Sequence, residues 1–397
     1  MNYDEILSSR VKEIGFSGIR KFFDLASNMK DIVSLGVGEP DFPTPWAVRD
    51  HAISQIRKGV TQYTSNAGDI TLRKNISRYL KERFSLDYST DELLVTIGAS
   101  EPIDLAMRIL VNPGDEVLVP APSYVSYSPC VRLSGGVAVE VPCFEEDNFK
   151  LTRENLLKAI TPKTKAIIFP YPNNPTGAVM RKDDIEKIID VIIGNDLIVI
   201  SDEIYAELTY NSKHISIASF DNMKERTIYI NGFSKSFSMT GWRVGYVAAP
   251  RELLRQMLKI HQYTAICAPI MSQFAGSYAL EQGFNDNFSC VEDMRNEYNV
   301  RRRFVIGRFN DLGLSCFEAE GAFYVFPSVK SLGMTGTEFA ERLLAEGKVA
   351  VVPGSAFSDV CDDFIRVSYA YSMKMLTKAM DKIEIFVNSL KKEKETK

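Results

Sequence analysis

Histidine and cysteine are scarce in this chain of 397 residues. Its three histidines are His51, His214 and His261, and its six cysteines are widely scattered, with no CxxC pair and no Cys/His cluster of zinc spacing. A Ser/His/Asp triad has little material to draw on, and we expect no metal site. No GxGxxG motif follows any predicted strand, which excludes a nicotinamide dehydrogenase built on that motif.

The sequence also lacks a strong excess of charge and a long apolar run. Its formal net charge is −4, which gives no field suited to binding nucleic acid. The N-terminal segment MNYDEILSSRVKEIGF lacks the basic-then-apolar pattern of a signal peptide, and no apolar run approaches the roughly 18 residues of a membrane span. We therefore expect a cytoplasmic protein with no nucleic-acid or membrane partner.

Short β-rich runs alternate with helical stretches between about residues 91 and 250. The runs, several of them apolar throughout, are DELLVTIG, DEVLVPAP, GVAVEVP, KAIIFPYP, DLIVISDEIY, RTIYINGF and RVGYVAAP. This alternation predicts an α/β fold in which helices cover both faces of a mainly parallel sheet. Such a sheet carries its active-site loops at the carboxyl ends of the strands, so the informative residues should follow these runs.

The pattern changes after residue 280. A long charged helical stretch, EQGFNDNFSCVEDMRNEYNVRRRFVIGRFNDLG, is followed by the strand-like runs GAFYVFPS, VAVVPGSAF and FIRVSYA. This pattern indicates a second, smaller α+β domain. A terminal helix is predicted from about Met373 to Leu390, and the charged tail KKEKETK is predicted to fray.

The most informative stretch is NGFSKSFSMTGWRVGY, at residues 231 to 246. Lys235 follows an apolar strand there and is flanked by small residues. A lysine at such a place is either a solvated surface residue or a nucleophile for a carbonyl, because an apolar context can lower its pKa. Arg243, further along the stretch, could supply a fixed cation with several donors for a phosphate.

This stretch resembles the Schiff-base lysine motif of the class I, fold-type I pyridoxal phosphate aminotransferases, in the aspartate and aromatic subgroup. The resemblance runs from about Gly36 to Arg366 and includes further motifs in the expected order: VGEPDF at 37–42, YTSNAGDITLR at 63–73, TIGAS at 96–100, PSYVSY at 122–127, PYPNNPTG at 170–177 and SDEIY at 201–205.

The resemblance implies a particular architecture. A mainly parallel seven-stranded sheet flanked by helices is expected with a smaller α+β domain. Residues 1–45 would form an N-terminal arm and part of the small domain, 46–280 the large domain that binds pyridoxal phosphate, and 281–397 the rest of the small domain.

Three residues are expected to control the reactivity of the cofactor. The ring nitrogen must be protonated if the ring is to accept electrons, and an ionised carboxylate beside it favours that state; the resemblance assigns this carboxylate to Asp202. Tyr205 and Asn174 match the residues that hydrogen-bond the phenolic oxygen. A regular strand would point Tyr205 away from Asp202, so the chain must leave the strand between them.

The phosphate needs backbone donors and positive charge. GASEPIDLAMRIL supplies a turn that leads into a helix, with Pro102 in its first turn. The resemblance assigns Ala99 and Ser100 to the phosphate, together with Ser234 and Arg243. A plain N-cap role for Ser100 is compatible with this assignment.

Other residues are assigned to the ring, the substrate and the partner subunit. Tyr124 matches the aromatic residue that stacks on the cofactor ring, whereas Tyr127 is expected to pack structurally. Arg366 matches the arginine whose planar fork binds the substrate α-carboxylate, and Gly38 the glycine whose backbone lies against the substrate. Tyr63 resembles the tyrosine that reaches the phosphate of the neighbouring subunit, which implies a homodimer.

The resemblance implies an aminotransferase with ping-pong kinetics. Lys235 would move a proton from the amino acid to the cofactor, and a 2-oxo acid, with 2-oxoglutarate and glutamate as one pair, would complete the cycle. A carbon–sulfur β-lyase is the enzymatic alternative, because such enzymes share the cofactor site. A non-catalytic sensor of pyridoxal phosphate is the alternative of another class, but sensors of this kind carry a DNA-binding domain that has no room before residue 30.

The substrate stays open among aspartate, aromatic amino acids and N-acetyl-LL-diaminopimelate. Ser100 stands where bacterial aspartate aminotransferases of the subgroup commonly have lysine, which puts aspartate in doubt. SGIRKF at 17–22, KIHQYT at 259–264 and FPSVKSLGMT at 326–335 resemble segments of the N-acetyl-LL-diaminopimelate aminotransferases. A lining of Phe16, Ile19, Tyr124 and Tyr263 would fit a large or variable side chain.

Overall fold

The structure is a computed structural model that describes residues 1–16, 18 and 31–395. Its α-helices are α1 (Tyr3–Ile6), α2 (Ser9–Lys12), α3 (Trp46–Arg57), α4 (Ile70–Phe84), α5 (Ser100–Leu110), α6 (Tyr127–Leu133), α7 (Arg153–Ala159), α8 (Lys182–Gly194), α9 (Phe233–Ser236), α10 (Arg251–Thr264), α11 (Ile270–Asp286), α12 (Ser289–Asp311), α13 (Gly336–Arg342) and α14 (Met373–Glu395).

The strands form one large sheet and two small ones. They are β1 (Val33–Ser34), β2 (Leu93–Thr96), β3 (Glu116–Ala121), β4 (Val137–Pro142), β5 (Thr164–Phe169), β6 (Ile198–Asp202), β7 (Thr227–Gly232), β8 (Gly245–Ala248), β9 (Tyr324–Val325), β10 (Val349–Ala350), β11 (Val352–Pro353) and β12 (Ile365–Ser368). The large sheet has seven strands in the order β2-β8-β7-β6-β5-β3-β4.

The seven-stranded sheet is parallel except at β8. Strands β7, β6, β5, β3 and β4 pair in parallel, and β8 runs antiparallel to both β2 and β7. Every residue of β2, β7 and β8 is buried, as expected for strands covered on both faces. The prediction of a mainly parallel seven-stranded sheet is therefore confirmed.

The helices that cover the sheet are amphipathic. In α8 the buried residues Ile185, Ile188 and Ile192 recur at helical spacing. In α4 the side chain of Asp69 caps the first turn by accepting from the backbone N–H groups of Thr71 and Leu72.

The remaining strands belong to a second hydrophobic core. Strand β1 pairs in parallel with β10, while β12 lies between β11 and β9 in an antiparallel sheet. The core on this side includes Val33, Val325, Val349, Ile365 and apolar residues of α12 and α14. This second core therefore combines short strands with helices, as predicted for the smaller α+β domain.

Two sequence-based predictions about helices are wrong. The charged stretch after residue 280 is broken, because Asn287 and Phe288 adopt positive φ of 55° and 58° between α11 and α12. The C-terminal helix α14 continues to Glu395, so the charged tail is helical over its described part. Lys391 explains part of this extension, since its ammonium donates to the carbonyl of Leu312, 2.8 Å away.

Within residues 1–16, 18 and 31–395, no helix is both long enough and apolar enough to cross a membrane.

Candidate active site

The predicted motifs meet at one edge of the large sheet. Asp202 is the last residue of β6, Lys235 follows β7 in α9, and Tyr124 and Asn174 follow β3 and β5. Strand β2 ends at Thr96 and leads to Ser100 at the start of α5. The carboxyl ends of these strands point the same way, so distant sequence segments form one site.

A cavity of about 540 Å³ lies at this edge. Its size is typical of small-molecule sites. Residues that pack around the large sheet and residues of the second core both contribute to its lining. The lining consists of Gly38, Glu39, Ala99, Ser100, Ile103, Tyr124, Tyr127, Pro170, Pro172, Asn174, Asp202, Ile204, Tyr205, Ser234, Lys235, Thr240, Gly241, Arg243, Tyr324 and Arg366. Apart from Tyr63, the cavity therefore brings together every residue that the resemblance assigns to the cofactor or to the substrate α-carboxylate.

The amine of Lys235 lines this cavity and is partly buried. Its Nζ donates to the backbone carbonyl of Gly38, 2.6 Å away. The pKa of Lys235 is lowered to about 8, chiefly by desolvation and also by the charges of Arg366 and Arg243, while Glu39 and Asp202 oppose the shift. A larger fraction of this amine is consequently neutral near neutral pH than for an exposed lysine, as nucleophilic attack requires.

The carboxylate of Asp202 lies at the end of β6 and is 6% exposed. Its Oδ2 accepts a hydrogen bond of 2.8 Å from the Tyr127 hydroxyl, and its Oδ1 accepts a longer one of 3.3 Å from the backbone of Ile204. Burial raises the pKa of Asp202 to about 6, although both hydrogen bonds favour the ionised form. A cationic partner would relieve this cost of burial.

Arg366 is buried on β12 and projects its guanidinium into the cavity. Its Nη1 donates to Oδ1 of Asn174 at 2.9 Å, and its Nη2 to the carbonyl of Gly36 at 2.6 Å. The guanidinium carbon lies 4.5 Å from the ring centre of Tyr324 and 5.0 Å from that of Phe357. These contacts fix the guanidinium in place. Its Nε has no hydrogen-bond partner among the described residues, so the group keeps unused donor capacity.

Tyr205 is placed by the chain leaving β6 directly after Asp202, as predicted. Its hydroxyl lies 3.0 Å from the hydroxyl of Tyr324. Tyr324 also closes the space beside Gly38, because a Cβ atom added there would overlap its hydroxyl oxygen. Gly38 is therefore a position without room for a side chain, because the Tyr324 hydroxyl occupies that space.

The turn between β2 and α5 is tightly enclosed. Gly98 has φ of +69°, and an added Cβ would lie 2.6 Å from Nη2 of Arg243. A Cβ added to Gly245 would lie 2.7 Å from the backbone nitrogen of Ala99. The guanidinium of Arg243 and the start of α5 are thereby held side by side, which suits an anion.

Some predicted residues do not line the cavity of this chain. Tyr63 is 79% exposed, and Phe16 and Tyr263 are also exposed. Ile19, like most of the segment 17–22, lies outside the described residues. Of the four residues expected to contact a substrate side chain, the structure places only Tyr124 in the lining.

Sequence reasoning missed three residues of the site. Tyr127 is buried as expected, but its hydroxyl also holds Asp202. Glu39 accepts from the Thr240 hydroxyl at 3.1 Å, and Tyr324 contacts Tyr205. Glu39 lies within the motif VGEPDF and Tyr324 within the strand-like run GAFYVFPS. The resemblance assigns a role in these two segments to Gly38 but not to Glu39 or Tyr324.

Comparison with known proteins agrees with this arrangement. The family model "Aminotransferase class I and II" matches residues 30–383. The aspartate aminotransferase of Pyrococcus abyssi (strain GE5 / Orsay) is 45% identical, with 95% of this chain and 97% of that protein covered. The probable N-acetyl-LL-diaminopimelate aminotransferase of Bacillus subtilis (strain 168) is 42% identical, with 97% and 96% covered.

A solved structure gives the same result. The crystal structure of the aromatic aminotransferase from Pyrococcus horikoshii OT3 superposes with a TM-score of 0.89 at 43% identity, covering 94% of this chain and 99% of that one. The chain therefore belongs to the class I and II aminotransferase family, and its fold is that of the fold-type I enzymes. It is a pyridoxal phosphate-dependent aminotransferase.

The cavity fits pyridoxal phosphate chemically. It offers a partly buried amine whose pKa is lowered, a buried carboxylate with no ion pair among the described residues, and a helix start beside an arginine. These groups match an aldehyde, a protonated ring nitrogen and a phosphate respectively.

Proposed function

We propose that this aminotransferase holds its cofactor on Lys235 and binds the α-carboxylate of an amino acid at Arg366. The observation that carries this proposal is the partly buried Lys235 amine, which lies with Asp202 and Arg366 in one cavity and has a lowered pKa. Bound pyridoxal phosphate supplies an electron sink that weakens the Cα–H bond of the amino acid.

Lys235 is the group that moves protons in this proposal. With the cofactor and an amino acid bound, the amine of Lys235 would accept the Cα proton at Nζ and would afterwards give it up again. Its neighbour Gly38 offers a carbonyl oxygen that orients Nζ. The lowered pKa favours the neutral amine that can act as a base.

Asp202 and Tyr127 hold the charge that keeps the ring nitrogen protonated. Tyr127 donates to Oδ2 of Asp202 from a fully packed position. A donor on one side of the carboxylate and a protonated nitrogen on the other would both favour its ionised form.

One hydroxyl group and one amide group complete the contacts to the cofactor ring. We assign Tyr205 and Asn174 to the phenolic oxygen of the cofactor and Tyr124 to its ring face. Tyr205 and Asn174 already have fixed partners in Tyr324 and Arg366, so their orientation is set before a ligand enters.

The phosphate is assigned to the turn before α5. Ala99 and Ser100 offer backbone donors at the start of that helix, Ser234 offers a hydroxyl and Arg243 a guanidinium. All four residues line the same cavity.

The substrate is proposed to be an amino acid with a large side chain, in the class of aromatic amino acids or N-acetyl-LL-diaminopimelate. Among the described residues that line the cavity, the cations are Lys235, Arg243 and Arg366, and each already has a role. The described lining thus leaves no further cation inside the cavity for the short side-chain carboxylate of aspartate, while Glu39 adds negative charge.

The reaction is proposed to alternate two substrates in one cavity, with 2-oxoglutarate and glutamate as one pair. Arg366 binds the α-carboxylate that an amino acid and a 2-oxo acid share, so both would use the same fork. Ping-pong kinetics follow from this sharing.

We also propose a homodimer in which Tyr63 reaches the phosphate of the partner subunit. Tyr63 is 79% exposed in the single chain, so its side chain is free to contact another copy. The division into residues 1–45, 46–280 and 281–397 and the cytoplasmic location remain predictions.

The proposal is tested by adding single amino acids to the purified yellow enzyme and recording its absorbance. The panel is glutamate, aspartate, phenylalanine, methionine, cystathionine and N-acetyl-LL-diaminopimelate. A change of the cofactor spectrum that 2-oxoglutarate reverses identifies a donor. Phenylalanine or N-acetyl-LL-diaminopimelate is expected to respond at lower concentration than aspartate.

Lys235→Ala is the decisive variant. It should lose the yellow colour and all transamination, and retained turnover would contradict the role of Lys235. Pyruvate and ammonia released from cystathionine without a reversible spectral change would mean a lyase. An aspartate response stronger than all others would contradict the proposed substrate class.

A further inference from the structure

The segment KIHQYT, at residues 259–264, contains a buried histidine that the site described above does not use. His261 lies in α10, and its side chain is 0% exposed. Its Nδ1 is 2.6 Å from Oε1 of Glu101. A carboxylate can only accept, so Nδ1 carries a hydrogen and donates to Glu101.

The second oxygen of Glu101 fixes the backbone beside the cavity. Its Oε2 accepts from the backbone N–H of Ile97 at 2.6 Å. Ile97 begins the turn that continues through Gly98 and Ala99 to the start of α5. One carboxylate thus joins the buried His261 to the turn that is assigned to the phosphate.

The other sides of this turn are held by different groups. The Thr96 hydroxyl donates to the carbonyl of Gly98 at 2.9 Å. Arg243 leaves no room for a side chain at Gly98, and the backbone of Ala99 leaves none at Gly245. The bond from Ile97 to Glu101 joins the turn to the first turn of α5.

The second ring nitrogen of His261 indicates which contact matters. Its Nε2 is buried and has no partner among the described residues. Leaving a buried polar atom unpaired is unfavourable, and an apolar side chain would fill the space without that cost. The contribution of the imidazole therefore lies at Nδ1, where it meets Glu101.

We propose that His261 and Glu101 are positioning residues for the phosphate of the cofactor. The imidazole orients the carboxylate, and the carboxylate holds the N–H groups of the turn in the arrangement that the phosphate needs. The hydrogen bond that His261 donates also partly offsets the negative charge of Glu101, which would otherwise repel a phosphate at the start of α5. This inference rests on the proposed position of the phosphate.

The test compares pyridoxal phosphate with pyridoxal, which has the same aldehyde and ring but no phosphate. The cofactor-free protein is titrated with each ligand, and binding is followed by absorbance. His261→Leu should weaken the affinity for pyridoxal phosphate about tenfold, the effect of losing a hydrogen bond to a charged group. The affinity for pyridoxal should not change.

Two further variants make the comparison specific. His261→Asn keeps an N–H donor near the place of Nδ1 and should restore most of the affinity for pyridoxal phosphate. Glu101→Ala removes both acceptor oxygens, so Ile97 N–H and His261 Nδ1 lose their partner, and it should show the same phosphate-dependent loss as His261→Leu. Val305→Ala, a change in the second core, should leave the ratio of the two affinities at the wild-type value.

The outcomes separate this inference from the proposed function. Equal weakening of both ligands, or no change in either, for His261→Leu and Glu101→Ala would overturn the positioning role. If His261→Leu does not fold, Glu101→Ala and His261→Asn decide the matter alone. A wild-type protein that binds neither ligand would overturn the proposed cofactor site itself.

Discussion

Replacing Tyr127 by phenylalanine removes one hydroxyl from a packed position and should slow proton removal from the amino acid. The lost group is the donor of the 2.8 Å hydrogen bond to Oδ2 of Asp202. Tyr127 is only 3% exposed, so water is poorly placed to replace it. The pKa of Asp202 is already raised by burial, and loss of this donor would raise it further.

The expected magnitude follows from the charge on the acceptor. A hydrogen bond to a charged group contributes about 1.5 to 3 kcal/mol. If this energy is lost from the ionised form of Asp202 in the reaction, the rate falls roughly 10- to 150-fold. Since a protonated Asp202 cannot support a protonated ring nitrogen, the acid limb of the pH profile should also move to higher pH.

The assay mixes the loaded enzyme with one amino acid and follows the cofactor absorbance through a single turnover. Tyr171→Phe is the matched control, because this buried tyrosine donates to the carbonyl of Phe149 at 3.2 Å and is absent from the cavity lining. A Tyr127→Phe rate equal to that of the control would refute the dependence of Asp202 on Tyr127.

Other substitutions should affect the substrate contacts and the cost of the buried charges. Gly38→Ala should reduce kcat/KM by about tenfold or more, because the new methyl group overlaps the Tyr324 hydroxyl; Gly307→Ala, where an added Cβ meets nothing within 4 Å, should have no such effect in the same steady-state assay. Arg366→Lys should raise KM about 10- to 100-fold through loss of the planar fork, and a KM within a factor of two of wild type would contradict its role. In the cofactor-free protein, Asp202→Asn should increase the free energy of unfolding measured in urea. Its folded-state pKa is raised from 3.8 to about 6, so the native carboxyl destabilises the fold above that pH by about 3 kcal/mol. This gain from Asp202→Asn should disappear as the pH falls from about 6 to about 4, and a gain independent of pH would contradict the assignment.

The sequence predicts the sheet because each strand is a continuous apolar run that needs cover on both faces. It also predicts the position of Asp202, Lys235, Tyr124 and Asn174, since residues after parallel strands meet at one edge. The exit of the chain from β6 after Asp202 follows from the alternation of side chains in a strand.

Contacts between distant segments could not be predicted in the same way. The pair Tyr127 and Asp202 joins the first residue of α6 to the last residue of β6, and local patterns carry no information on which tyrosine rotamer meets which carboxylate. Tyr324 lies in a two-residue strand, too short for periodicity to reveal its face. The break between α11 and α12 depends on positive φ at Asn287 and Phe288, and phenylalanine gives no signal for such a conformation.

The buried charges of this site are arranged for a ligand rather than for the stability of the chain alone. Burial moves the pKa of Lys235 down and that of Asp202 up, so each side chain would be less costly if it were apolar. Both costs fall when a group that reacts with the amine and carries a cation for the carboxylate enters the cavity. Cofactor binding should therefore stabilise this chain by more than its direct contacts alone, because it also relieves the cost of burying these two charges.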